Sequence, residues 1–315
     1  MSVFGVGNAI VDVLVSVNDS VLAELGMPKG IMTLVDEARS KEILKSVELC
    51  QRSIMPGGSC CNTMIGVANL GGRAGYTGIV GNDGLGDLFE EKLKGFGVSS
   101  NIVRTKGMTG SSVIMVSPDC ERSMNTHLGV CGKLDKKHII EEDLLRSKIF
   151  HTTAYFYDTC PETCLYLLEL ARRNGIKVSF DVSDPFLAKN DDLKKIVKYA
   201  DIVFLNRDEA RLFQDRHTLQ EIGKYASTVV VKVGANGSFV CHKGKYYKIP
   251  AFRVNAVDTT GAGDMFAAGF LFGITQGYKV QEAAHIGSFA ASKVVEVTGA
   301  RLDYSLKKEV EERFW

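Results

Sequence analysis

From Ile149 onward, short apolar runs alternate with stretches whose apolar residues recur at helical spacing. The runs Ile149–Thr153, Val178–Asp181, Ile202–Leu205 and Val229–Val233 predict strands, and helices are expected to begin near Pro161, Leu193 and Asp208. Such alternation predicts a largely parallel sheet with helices on both faces. Ligands in sheets of this kind bind beyond the carboxyl ends of the strands. Asp181, Asn206, Glu209 and Gly234 each stand just past such an end, and their convergence makes them candidates for one site.

The amino-terminal half follows a different pattern. Val3–Val17 is apolar and β-branched, with Gly5, Gly7 and a single charge, Asp12, and predicts a buried strand continuing into a second. Ile31–Val35 predicts a short strand, Arg73–Val80 a longer one, and Gly81–Asp87 a turn that opens a helix. Ile102–Met124 is extended throughout, with the turn Pro118-Asp-Cys-Glu121, and predicts a hairpin. With Ile31–Val35 this hairpin is expected to form a small separate sheet, built from insertions at residues 13–50 and 100–126, that covers the substrate as a lid on a single domain spanning 1–315.

Two glycine-rich segments carry the candidate chemistry. In the first, Pro56-Gly-Gly-Ser-Cys-Cys-Asn62, Gly57 and Gly58 suit a hinge or a close approach of backbone to ligand, and Ser59 suits a helix N-cap. In the second, Asp258-Thr-Thr-Gly-Ala-Gly-Asp264, a strand-like lead-in over Ile249–Val257 enters a turn from which a helix starts near Asp264. Gly261 and Gly263 leave backbone N–H groups bare where a helix begins, an arrangement that receives anions. Asp264 at that mouth is either the helix cap or a base that takes the proton of a hydroxyl attacking a phosphoryl group. Asp12 is either a capped charge at a strand junction or a carboxylate that accepts from substrate hydroxyls.

Composition narrows the field. With 38 basic and 37 acidic residues the net charge is +1, which gives no general attraction to nucleic acid or membranes. No stretch approaches the ~18 apolar residues of a membrane span, and a cytoplasmic protein is expected. Eight cysteines, including Cys120, lack metal-finger or disulfide-framework spacing. The P-loop, the serine nucleophile elbow and the zinc-protease helix are all absent, and Gly5-x-Gly7 lacks the third glycine of a dinucleotide fingerprint.

Taken together, the two glycine-rich segments, Gly71-Gly-Arg-Ala-Gly-Tyr-Thr-Gly-Ile-Val-Gly-Asn-Asp83 and Asn206-Arg-Asp-Glu209 resemble the ribokinase-like (PfkB) family of carbohydrate and nucleoside kinases over essentially the whole chain. The resemblance implies a three-layer α/β/α fold with a mostly parallel central sheet and a small β-sheet lid. It also implies ATP and Mg2+ as cofactors. By this resemblance Asp264 is the catalytic base, and Gly261, Ala262 and Gly263 form the anion hole. Asn206 and Glu209 organise Mg2+, partly through water, and ATP phosphate. Asp12, Gly57, Gly58 and Asn62 hold the acceptor. Lys232, Gly234 and Gly237 lie beside the nucleotide, with His285, Ser288 and Ser292 on a wall of the adenine pocket. Asp258 and Thr260 belong with the nucleotide turn, near which some members bind a monovalent cation such as K+.

Met27–Asp36, Glu121–Gly129 and Asp181–Phe186 resemble the adenosine-kinase branch, which implies a nucleoside acceptor. The alternative acceptor is a sugar such as ribose, fructose or a keto-sugar acid, and a non-catalytic ligand-binding member is the third reading. Tyr155 could offer its ring to a base, and Arg122 either reaches the substrate or braces the hairpin. Cys60-Cys61 replaces the usual small pair at the hinge, where oxidation would matter. The partner is expected to be a small molecule, with the chain a monomer or homodimer.

Overall fold

The computed structural model describes residues 1–119, 121–188, 191–213, 223–224 and 226–314. Cys120 lies outside the described residues. Nine strands form a large sheet: β1 (Val3–Val6), β5 (Ala74–Gly81), β6 (Ser99–Thr105), β9 (Ile149–Thr153), β10 (Lys177–Asp181), β11 (Ile202–Asn206), β12 (Thr228–Lys232), β13 (Ser238–His242) and β14 (Lys245–Ile249). Their order is β14-β13-β12-β11-β10-β9-β1-β5-β6. From β12 to β6 neighbouring strands are parallel, and β13 and β14 close the far edge as an antiparallel hairpin.

Five strands form the second sheet, in the order β3-β8-β7-β2-β4: β2 (Ile10–Ser16), β3 (Met32–Leu34), β4 (Arg52–Gly57), β7 (Gly110–Val116) and β8 (Arg122–His127). The expected β7–β8 hairpin is present. The segments feeding this sheet differ from the expected 13–50 and 100–126. It begins at Ile10 and takes in β4, whose Pro56 is tolerated because β4 is an edge strand. Residues 99–105 pair instead with β5 in the large sheet. The chain changes sheets across Gly7-Asn8-Ala9, which divides the apolar run Val3–Val17 into β1 and β2.

Burial on both faces of the large sheet produces two apolar cores. One joins Phe204 and Val230 to the helices Ser59–Asn69, Ala262–Thr275 and Val280–Val294. The other joins Phe150, Phe180 and Val203 to the helix Pro161–Arg173. The Ala262–Thr275 helix is apolar nearly all round and almost wholly buried, as a helix between a sheet and another helix must be. Phe270 meets Phe204 edge to face, with ring centroids 5.4 Å apart. On the opposite side Gly269 lies so close to the Val280–Val294 helix that a Cβ there would sit 2.7 Å from Gly287 Cα.

Ile249–Val257 departs from expectation. The strand ends at Ile249, and residues 251–256 have no regular structure. Pro250 has no N–H to extend the ladder, and several apolar residues after it line a cavity rather than pair in a sheet. Gly5 and Gly7, read above as a truncated fingerprint, admit the Ser59–Asn69 helix, since a Cβ at either would lie within 3 Å of the Cys60 side chain.

Gly269→Val is expected to wedge the two helices apart and cost about 1–3 kcal/mol. Urea unfolding checks this, with a lower midpoint at unchanged slope.

Candidate active site

Two helix amino termini meet at one carboxylate. The Ala262–Thr275 helix has Gly261 as its N-cap, at φ 73°. This left-handed conformation favours glycine, and Ala300 packs where a Cβ would project. Asp264 therefore stands inside the first turn and is not the cap. Its carboxylate accepts from Ser59 Oγ at 2.7 Å and from Asn62 Nδ2 at 2.9 Å, both on the Ser59–Asn69 helix. Ser59, expected to cap that helix, follows the true cap Gly58 and spends its hydroxyl on Asp264. The two helices can approach because Gly66 faces Ala268, where an added Cβ would lie 2.6 Å from Ala268 Cβ. Burial pushes the Asp264 pKa up to about 6, against the lowering effect of those two hydrogen bonds.

On the small-sheet side, Asp12 projects from mid-β2 against Gly57, where any Cβ would strike the carboxylate. Gly58, at φ 92°, turns the chain from β4 into the helix, and a Cβ there would meet Asn8 O at 2.2 Å. Burial raises the Asp12 pKa to about 6, with Arg301 and Arg122 opposing the rise. Asn62 is bound at both ends: Nδ2 donates to Asp264, and Oδ1 accepts from Arg301 Nη2 at 2.6 Å. Arg122, from the first position of β8, donates to Asp258 Oδ2 and Thr260 Oγ1 and so ties the small sheet to the glycine-rich turn. Asp258 also accepts from the N–H groups of Thr260 and Gly299. A carboxylate already met by a guanidinium and two amide donors does not fit K+ as well.

The expected nucleotide side is a cavity of about 770 Å3 beyond the carboxyl ends of β10–β12. Asp181, Glu209, Lys232, Gly234, Gly237 and Asn206 line it, together with Tyr155, Gly263, Asp264, Ser288 and Ser292. Lys232 Nζ pairs with Asp181 Oδ2 at 2.9 Å. Burial alone would lower the Lys232 pKa, but Asp181 and Glu209 outweigh it and hold the ammonium charged. Glu209, only 2% exposed, accepts from the Asn206 N–H at 2.7 Å and from Asn206 Nδ2 at 2.5 Å. Burial, with Asp181 adding to it, raises its pKa to about 7. The N–H groups of Gly261 and Gly263 have no acceptor among the described residues, which leaves them available to an anion.

Not every expected residue joins this cavity. His285 lies on the Val280–Val294 helix but away from the lining, whereas Ser288 and Ser292 one and two turns later face it. Asp258 and Thr260 face Arg122, and Thr259 takes the lining position between them. Tyr155 lines the cavity with its hydroxyl 3.1 Å from Ser183 O, while Phe156 is fully buried core. Cys60 and Cys61 are buried, and burial pushes the Cys61 thiol up to about 12, so neither is poised for oxidation. The local sequence around Ser59 signals only a cap, and that around Phe252 and Val254 only a strand. Arg301 had no local signal at all.

A family model described as "pfkB family carbohydrate kinase" matches residues 36–307. The chain belongs to the pfkB family. It is therefore a phosphotransferase that acts on sugar or nucleoside alcohols. The crystal structure of adenosine kinase from Sinorhizobium meliloti is 33% identical with a TM-score of 0.90, covering 99% of this chain and 98% of that one. A probable sugar kinase from Rhizobium etli CFN 42 is 34% identical, with the same TM-score and coverage. A 5-dehydro-2-deoxygluconokinase from Geobacillus thermodenitrificans is 31% identical over 262 residues, 76% of this chain and 78% of the relative. ATP use follows from membership of this kinase family, with Mg2+ as its usual companion. The oxygen donors fit that ion: two buried carboxylates, Asp181 and Glu209, share one lysine, an excess of negative charge that a hydrated divalent cation would relieve.

Because the folded pKa of Asp264 lies above its unfolded value, the folded state binds more protons between pH ~4 and ~6, and stability falls as pH rises through that window. Asp264→Asn removes this half-buried charge. It should be more stable than the parent at pH 7 by on the order of 1 kcal/mol, with the advantage vanishing towards pH 4. Thermal unfolding of both proteins across this range checks the sign.

Proposed function

We propose that this chain is a nucleoside kinase, transferring the γ-phosphoryl group of ATP to the primary CH2OH of a ribose-type acceptor, with adenosine the leading candidate. The supporting observation is the inner face of the small sheet. Residues directly opposite across paired strands share a face. The register therefore sets Leu14 beside Ile114, Ile114 beside Met124, and Met124 beside Met32, on the side that also bears Asp12. Leu34 continues the strip and is 60% exposed. A sugar offers hydroxyls and little else to such a surface, whereas a nucleobase offers a flat apolar ring. The adenosine kinase similarity over nearly the full length supports the same reading.

In this reading the acceptor ribose rests on Asp12 and Asn62, with its CH2OH directed at Asp264. Phosphoryl transfer needs positioning and charge stabilisation more than strong base chemistry. Asp264 takes the hydroxyl proton as the bond to phosphorus forms. The bare N–H groups of Gly261 and Gly263 receive charge on the migrating group, and Lys232 steadies the phosphates. Asn206 and Glu209 would hold Mg2+, partly through water, and the ion would supply positive charge against the phosphates. All seven described cysteines are unpaired, which supports a reducing, cytoplasmic setting. A sugar kinase is the second reading, favoured by the similarity to 5-dehydro-2-deoxygluconokinase.

A coupled ADP-release assay over nucleosides and sugars, with ATP and Mg2+, separates the two. Turnover with a nucleoside is expected, and turnover with sugars alone would reject the nucleoside reading. Asp264→Asn should lose about 10²–10⁴-fold in kcat while still binding acceptor, and near-normal turnover would remove the base assignment. Leu14→Ser should raise the nucleoside KM about tenfold and leave the KM for ATP unchanged.

A further inference from the structure

Arg301 follows the turn at Gly299, whose N–H donates to Asp258, and Ala300, which packs on Gly261. From that position its guanidinium enters the acceptor half of the site. Nη2 donates to Asn62 Oδ1 at 2.6 Å and lies 3.7 Å from Asp12 Oδ2, and the Arg301 side chain is only 9% exposed. Nε is buried with no hydrogen-bond partner among the described residues.

We propose that Arg301 is a positioning residue for the acceptor, presetting the two side chains that receive acceptor hydroxyls. An Asn amide can present either end to a neighbour. Because Arg301 supplies only donors, it claims Oδ1 and forces Nδ2 towards Asp264. The same guanidinium keeps Asp12 in its carboxylate form, the form that accepts from hydroxyls. The charged or titratable groups facing Asp12 are Arg301, Arg122 and Cys61, whose thiol stays protonated. The flanking strands place only Met55 and Ser112 directly opposite it. Burial drives Asp12 towards its neutral form and Arg301 is the largest opposing influence, so its loss moves the ionisation of Asp12 to higher pH.

This inference rests on the kinase reading above, and the test separates the two. With the acceptor that the parent protein turns over best, Arg301→Met should raise the acceptor KM about 10–100-fold. The KM for ATP should stay within about twofold, and the acid limb of kcat/KM should move to higher pH. Arg301→Lys keeps a positive charge without the fork. It should restore the acid limb but only part of the acceptor KM. An unchanged acceptor KM and pH profile in both variants would overturn the assignment, as would equal losses for acceptor and ATP with an unmoved pH profile. If Arg301→Met does not fold, Arg301→Lys decides alone: an acceptor KM equal to the parent's counts against the proposal. If the parent protein turns over no acceptor, the kinase reading fails first.

Discussion

The structure depends on holding one half-buried carboxylate, Asp264, where the starts of two helices meet. Burial raises the free energy of its ionised form, and the Ser59 Oγ–H and Asn62 Nδ2–H hydrogen bonds offset this, with a smaller contribution from the Lys232 charge. Both donors come from a helix some two hundred residues earlier in the chain. That helix must therefore approach the Ala262–Thr275 helix closely, which the small residues Gly66 and Ala268 permit. The large sheet beneath sets the height of both helices. The fold can thus be read as a scaffold that brings two helix starts to one oxygen pair.

A second constraint is charge balance on the nucleotide side. Asp181 and Glu209 share the charge of Lys232 in the cavity, with Glu209 satisfied by the Asn206 backbone and side chain. Such a cluster is not a stability device, because buried ion pairs rarely repay their desolvation. In the kinase reading its worth lies in orienting groups for a ligand that brings both phosphate and a divalent ion. Arg122 joins the small sheet to the glycine-rich turn.

Much of this was legible in the sequence because the signals are local. β-branched runs such as Val229–Val233 make strands in any buried context, and the helix beginning after Gly261 is announced by its glycines. The illegible parts are those where one local pattern has two uses. Ala251–Val257 alternates apolar and polar residues as a strand would, yet several of its apolar side chains line a cavity. Ser59 has the chemistry of a cap, but the cap is Gly58, and only the opposing helix reveals what the hydroxyl does. Arg301 reaches Asn62 across 239 residues, and no spacing rule encodes such a contact. His285 failed for a simpler reason: it shares a helix face with Ser288 and Ser292 but stands a turn nearer the helix start, outside the cavity lining.

The uncovered strip at Leu34 and Met32 has an energetic consequence for timing. Without an acceptor, these side chains stand in water. In the nucleoside-kinase reading, an acceptor bearing a flat ring would act as glue between the two sheets, and the same event would expel solvent from around the terminal phosphate of ATP. Idle hydrolysis of the nucleotide would thereby be suppressed until a molecule worth phosphorylating was in place.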